Sequence, residues 1–316
     1  MDSRHVMSRL KETLTGLLSV IPPQSDIIYA DYPLYGNVGD LLIMKGTEAF
    51  FKAHGIRVKQ RWNPDNFPFG RRADKKTIIG GNFGDLYPYY QTFREKIVKA
   101  FPENRIVILP QSIYYQDETR LRKTAALFAE HKDLHLFTRD HVSHETAKRF
   151  FSANHIGLLP DMAHQLYPIK TAAAPSRGRL HFIRTDGEIN PKLQNNHSVK
   201  SCDWQHVLSA SDRRGIAFFQ TLNVLNKKAG NLLPIARFWK FYSDFLTKKA
   251  VRFFSKYESA ETSRLHGHIL SSLLGKPNTV IDNSYGKNAN YYHTWTHEAP
   301  DVRLIETAGT KENLPL

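Results

Sequence analysis

An α/β fold of two lobes facing a cleft is what the sequence predicts, from three observations. Between residue 26 and about residue 161, short β-rich runs alternate with helical patterns, as in a parallel sheet with helices on both faces. Near residue 170 the composition changes to Thr171-Ala-Ala-Ala-Pro-Ser-Arg-Gly178, a small, polar, proline-broken stretch suited to an interdomain link. Beyond it the alternation of strand and helix resumes. The expected division is residues 1–170 and 171–316.

In chain order, residues 1–21 place Val6, Leu10, Leu14, Leu17, Leu18 and Ile21 at helical spacing before Pro22-Pro23 ends the element. This reads as a helix docked on the first lobe. Strands follow at Asp26–Tyr32, Ile56–Trp62, Thr77–Ile79, Arg105–Leu109, Leu134–Thr138 and His155–Leu159. Helical patterns fill the gaps near Leu41–His54, Tyr89–Phe101, Glu118–His131 and His141–Ala153. In the second lobe, Arg179–Thr185 is a strand ending in Arg184-Thr185-Asp186-Gly187-Glu188, followed by an uninformative polar loop. Helices run from about Asp212 to Lys228 and from Pro234 to Tyr257, and Glu258 and Glu261 interrupt any strand after them. The strand Asn278–Asp282, a short helix near Asn288–Trp295 and the strand Val302–Ile305 complete the chain.

The segment before Asn278 is the focus. Ser263 can cap a helix whose buried stripe is Leu265, Ile269, Leu270, Leu273 and Leu274, leaving Arg264 and His266 in the first turn. The unpaired N–H groups and the helix dipole there favour phosphate or carboxylate, Arg supplies a bidentate clamp, and His moves protons near neutral pH. A capped core helix with an exposed Arg and His fits the segment equally well. Open sheets of this kind bind ligands beyond the carboxyl ends of their strands. Those ends here carry Gly36-Asn37-Val38-Gly39-Asp40, Gly80-Gly81-Asn82-Phe83-Gly84-Asp85, Pro110-Gln111-Ser112, Arg139-Asp140 and Pro160-Asp161.

Composition narrows the classes. The chain has 316 residues, 41% of them apolar, and one cysteine, Cys202, so a disulfide framework and a zinc ribbon drop out. No run approaches the roughly 20 apolar residues of a membrane span and no secretory core opens the chain, so a cytoplasmic location is expected. Neither a Gly-x-Gly-x-x-Gly fingerprint nor a Walker lysine is present. A formal net charge of +14 points to anionic partners, but the basic residues form no recognisable nucleic-acid module.

Taken together, Gly36-Asn37-Val38-Gly39-Asp40, Asn82-Phe83-Gly84-Asp85, Leu109-Pro110-Gln111-Ser112, Arg139-Asp140, Pro160-Asp161, Ser263-Arg264-Leu265-His266-Gly267 and Asp282-Asn283-Ser284-Tyr285-Gly286-Lys287 resemble the polysaccharide pyruvyl transferases. The resemblance covers nearly the whole chain. It implies two Rossmann-like lobes in a GT-B-like arrangement and transfer of a pyruvyl group from phosphoenolpyruvate to a sugar of an exopolysaccharide or its precursor. The product is a ketal, phosphate is released, and neither cofactor nor metal is called for.

Holding the carboxylate and phosphate of phosphoenolpyruvate needs clustered cations, for which Arg139 and Arg264 are candidates from opposite lobes and Lys287 a further contact. His266 is the candidate acid, and Asp40 or Asp85 the candidate group to deprotonate or orient the acceptor hydroxyl. Asn37, Asn82, Gln111 and Ser284 are the remaining substrate-binding candidates. A GT-B glycosyltransferase with a nucleotide-sugar donor is the second reading, and a non-catalytic anion- or membrane-binding protein the third.

Residues 227–256 suggest peripheral contact with an anionic membrane, which would suit a lipid-linked acceptor. Eight Lys and Arg residues face only Asp244 and are interleaved with aromatics. Ile235, Phe238, Trp239, Tyr242, Phe245 and Leu246 follow helical spacing and are expected to be core, which leaves Phe241 or Phe254 for the membrane.

Overall fold

The computed structural model describes residues 2–69, 76–80, 88–171, 174–190 and 201–305. Its first sheet has six strands: β1 (Asp26–Tyr29), β2 (Arg57–Arg61), β3 (Thr77–Gly80), β4 (Ile106–Gln111), β5 (Leu134–Thr138) and β6 (His155–Leu158). They pair in the order β2-β1-β3-β4-β5-β6, all parallel. Connections leave β1 in opposite directions along the sheet, so a switch point lies between β1 and β3, where such sheets form a crevice.

The period of two along each strand sorts side chains to two cores. Tyr29, Val107 and Leu109 enter one, and Ile28, Ile106 and Ile108 the other. The second core is closed by α3 (Pro88–Ala100), α4 (Glu118–Ala129) and α5 (His141–Phe150), which contribute Phe93, Phe128 and Ala147.

The second sheet pairs in the order β10-β9-β8-β7, again all parallel, from β7 (Arg177–Phe182), β8 (Tyr257–Thr262), β9 (Asn278–Ile281) and β10 (Val302–Ile305). Strand β8 corrects the expectation that Glu258 and Glu261 interrupt this stretch. Its Ala260 and Thr262 are buried while Glu261 meets His181 at 3.3 Å and Arg179 at 3.6 Å on β7, so the carboxylate is neutralised across the sheet.

One apolar cluster joins the two sheets through α2 (Val38–Ala53), α8 (Ile235–Ser255) and α9 (Leu265–Leu273). Helix α2 runs so close to the turn at Met162 that a Cβ on Gly46 would stand 1.9 Å from the Met162 carbonyl oxygen. Only glycine fits there.

Two expectations about packing are corrected. The leading helix α1 (Ser3–Thr13) docks on the second sheet, where Val6, Met7 and Leu10 meet Val280, Ala299 and Val302, while Leu14, Leu17 and Ile21 beyond it join the cluster of Ile27 and Tyr29 as expected. On α8, Phe238 and Phe245 are exposed at 51% and 49%, and Phe254, assigned above to a membrane, is buried. The buried face of α8 is Ile235, Trp239, Ser243, Leu246, Ala250 and Phe254, turned away from the expected stripe by the partners it meets. Trp239 donates its indole N–H to the Pro33 carbonyl at 2.6 Å, and Tyr242 stacks beside Phe219 of α7 (Ala210–Lys228).

Candidate active site

The first turn of α2 is built by its own sequence. Asn37 Oδ1 accepts from the Gly39 N–H at 3.0 Å, a helix cap, so the side chain expected to bind substrate is engaged locally. Asp40, in the same turn, accepts from the Tyr35 hydroxyl at 2.9 Å. Gly39 faces His266 of α9, where a Cβ would lie 2.7 Å from Nδ1. The two helices thus meet at their amino ends, and the absent side chain makes room for the imidazole. Gly39→Ala should push that ring aside and cost about 1–3 kcal/mol of stability through overpacking. Thermal unfolding beside turnover checks it, and a fully active, fully stable variant would place His266 elsewhere.

Helix α9 starts one residue later than expected. Its cap residue is Arg264, in extended conformation, and no side chain caps it. Ser263 is fully buried and spent elsewhere: its Oγ accepts from the Arg184 N–H at 2.9 Å. The expected apolar stripe holds at Leu265, Ile269, Leu270 and Leu273, which are buried, while Leu274 is the C-cap and half-buried.

Asp161 connects the two halves. It lies just beyond β6, fully buried, with Oδ2 at 2.8 Å from Arg139 Nη1 and 3.3 Å from His266 Nε2. Arg139, just beyond β5, is also buried and donates to Ser112 Oγ at 3.1 Å. Burial alone would raise the Asp161 pKa, but His266 and Arg139 outweigh it and hold the carboxyl well below the usual range. Arg139 from the first sheet and His266 from the second therefore share one ionised carboxylate.

Arg264 does form the bidentate fork expected of it, but on Asp203, with Nε to Oδ1 at 2.8 Å and Nη2 to Oδ2 at 2.6 Å. Its Nη1 reaches Asp186 at 2.7 Å, and Asp186 also accepts from Arg184 Nε at 2.7 Å. Burial works against ionisation of Asp186, yet the Arg184 hydrogen bond and the Arg264 charge bring its pKa down to about 2. Asp203 is saturated, since it also accepts from Thr185 and caps α6 (Trp204–Val207). Asp186 is half-exposed and is the contact of Arg264 most open to exchange.

The remaining candidates separate. Gln111 ends β4 fully buried; its carbonyl accepts from the Arg139 N–H at 3.1 Å, while its amide oxygen and nitrogen have no partner among the described residues. Lys287 opens α10 (Lys287–Tyr291), its N–H donating to Asn283 Oδ1 at 2.8 Å. Ser284 lines a 460 Å³ cavity with Tyr114, Arg120, Glu188 and Tyr285. There Tyr114 stacks on Tyr285 at 4.2 Å between ring centroids, and the Tyr285 hydroxyl donates to Glu188 at 2.9 Å. Glu188 meets Arg184 at 2.5 Å, which ties this cavity to the Arg264 cluster. Asn82 and Asp85 lie outside the described residues.

Sequence reasoning gave no role to Asp161, Asp186, Asp203, Glu188, Tyr114 or Tyr285. Asp161 and Asp186 had a usable signal, as acidic residues at strand ends. Asp203 lay in the loop read as uninformative, where Asp203 and His206 form a capping box.

His268, two residues from His266, is buried on the other side of α9 between Asn278 Oδ1 at 2.6 Å and Thr296 Oγ1 at 3.1 Å. Burial lowers its pKa from 6.5 to about 4, and lowers that of His164, which lies 2.8 Å from the Tyr291 hydroxyl, to about 4 as well. Below pH 6.5 the unfolded chain takes up protons that these folded sites refuse, so stability is full above 6.5 and falls as pH drops towards 4. The melting temperature should fall by on the order of 5 °C across that window. His268→Gln should flatten the slope, and an unchanged slope would remove His268 from the account.

Residues 37–285 match the family described as polysaccharide pyruvyl transferase. The chain is 66% identical over 319 residues to the Bacillus subtilis protein named "Putative pyruvyl transferase EpsO", covering 100% of this chain and 99% of that one. It is 32% identical over 238 residues to Pyruvyl transferase 1 of Schizosaccharomyces pombe, covering 69% of this chain and 53% of that one. In fold it is similar to a functionally uncharacterised protein of Klebsiella pneumoniae, with a TM-score of 0.63 at 20% identity over 94% of this chain and 99% of that one.

Proposed function

This chain belongs to the polysaccharide pyruvyl transferase family, and from that premise we propose that it transfers the pyruvyl group of phosphoenolpyruvate to a sugar of an exopolysaccharide or its precursor. The observation that carries the reading is the shared carboxylate of Asp161, which holds the proposed acid His266 from one sheet beside the buried Arg139 from the other.

In the proposed reaction, His266 protonates the methylene carbon of the enol while a sugar hydroxyl attacks the neighbouring carbon, so the C=C bond becomes a methyl group and a new C–O bond. Phosphate then leaves with its bridging oxygen, and a second hydroxyl closes the ketal. One hydroxyl proton replaces the one His266 gave up, and the other departs with phosphate. Asp161 holds the imidazole and keeps Arg139 in place. The donor phosphate is taken by Arg264 and Arg184 in exchange for Asp186, with Lys287 as a further contact. Asp40 or Asp85 orients the acceptor hydroxyl.

The stacked Tyr114 and Tyr285, with Glu188, Arg120 and Ser284, offer the apolar face and polar rim that a pyranose ring requires, and we assign the acceptor to that cavity. We also place a lobe division near residue 170, in a GT-B-like arrangement. The passage from β6 to β7, and so from one sheet to the other, supports it. Incubation with phosphoenolpyruvate and a panel of nucleotide-linked and lipid-linked sugars tests the reading. Phosphate release with a ketal product is expected. Turnover of a nucleotide sugar without phosphoenolpyruvate would replace it with glycosyl transfer.

A further inference from the structure

The outward face of the α7–α8 hairpin is apolar where a soluble surface is ordinarily polar. On α8, Phe238, Phe241 and Phe245 recur at spacings of three and four and are 51%, 65% and 49% exposed. They form a stripe opposite the buried Trp239, Leu246 and Ala250. From Phe218, 62% exposed on α7, rings run without a gap through Phe219 and Tyr242 to Phe245, with centroids 5.8, 5.3 and 6.1 Å apart. At the tip between the helices Leu232 is 80% exposed.

Cations extend this stripe. Arg237, Lys248 and Arg252 are exposed on the same side of α8, and none has an acidic partner among the described residues. The acidic residues of the two helices are already neutralised, Asp212 by Lys249 and Asp244 by Lys45. No helix among the described residues is long and apolar enough to cross a membrane.

We propose that the outer face of α7 and α8 docks peripherally on the anionic leaflet of a lipid bilayer, with the phenylalanines and Leu232 in the interface and the unpaired cations on acidic headgroups. A row of exposed rings bordered by cations matches a surface that is apolar beneath and negative on top. A second copy of this chain fits poorly, because a self-complementary contact would gather the Arg237, Lys248 and Arg252 of both copies into one patch while the acidic residues of the two helices are already paired. The inner face of the hairpin holds the approach to the candidate site: Trp239 donates to Pro33 O, and Gln220 to Leu34 O at 3.1 Å, just before Gly36 and Asn37. The surface stands without the pyruvyl-transfer reading and fails separately from it.

Sedimentation of the full chain with vesicles decides the matter. Binding is expected on phosphatidylcholine vesicles containing phosphatidylglycerol, at least tenfold weaker without it, and falling as salt rises. Each cation near the surface contributes about fivefold, so Arg237→Gln with Lys248→Gln and Arg252→Gln should weaken binding roughly 100-fold. Phe238→Ser with Phe241→Ser and Phe245→Ser should abolish it at every salt concentration. Both triple variants change only exposed side chains, so their melting temperatures should match the parent's. Absent or lipid-independent pelleting overturns the proposal, as does parental binding by the phenylalanine variant. A wild-type dimer that this variant converts to monomer overturns it too, since a second copy would then cover the ridge.

Discussion

Replacing His266 with glutamine leaves the protein folded and lowers phosphate release from phosphoenolpyruvate by a factor of about 100 or more, the usual worth of a positioned proton donor. Glutamine can still donate to Asp161, so the anchor of the side chain survives while its acid function is lost. Arg139 still meets Asp161 after the substitution, so the buried carboxylate keeps one of its two partners. The diagnostic is a fall in kcat with little change in the KM for phosphoenolpyruvate and an unaltered melting temperature. A fully active variant would move the proton donor elsewhere in the cluster. His268→Gln is a poor control for stability, since His268 is buried between Asn278 and Thr296. It is a good control for chemistry, and should retain turnover.

The largest effect on stability is expected at Asp161. Alanine there leaves the Arg139 guanidinium buried without its carboxylate, and breaking a buried pair from one side costs about 3–5 kcal/mol. The substitution also removes the acceptor of the Ala163 N–H at 2.9 Å, which starts the helical turn Met162–Leu166. A drop of roughly 10 °C in melting temperature follows. Asp161→Asn keeps the shape and loses the charge, and should fall between.

The pH dependence of this carboxylate has a definite sign. The folded pKa lies below the ordinary 3.8, so its stabilisation is fully present above 3.8 and is lost as pH falls through the folded value. The Asn variant should therefore lose less stability than the parent on going below pH 3.8, which urea titrations at neutral and acid pH would show. A cost under about 1 kcal/mol for alanine would mean that Arg139 is held without Asp161.

Most strands and helices were legible because their causes are local. Val107 and Leu109 against Ile106 and Ile108 spell out a strand buried on both faces, and they do so without knowledge of a neighbour. Likewise Leu265, Ile269, Leu270 and Leu273 mark the inner face of α9. Of the candidate site, the residue types and their positions at strand ends were legible. Their partners were not. Arg139 and Arg264 were read as two forks open to one small anion, and each is instead held on its own carboxylate, Asp161 and Asp203.

The sequence by itself determined the alternation of elements, the parallel sheets, the Arg-Leu-His helix and the family. Tertiary structure alone decided what required a second surface. Glu261 looks like a strand breaker until His181 and Arg179 stand beside it on β7. The apolar face of α1 says that it packs, but only the shape of Val280, Ala299 and Val302 says where. The helical period permitted a wide apolar stripe on α8, and contact with Pro33 and Phe219 selected which part is core, leaving Phe238, Phe241 and Phe245 in solvent. Asp161 became the hub because a buried carboxylate is stable only where partners meet its charge, and these come from residues 139 and 266, one on each side of it in the chain. Periodicity acts between neighbours along the chain, whereas charge neutralisation and close packing act between whatever the fold brings together.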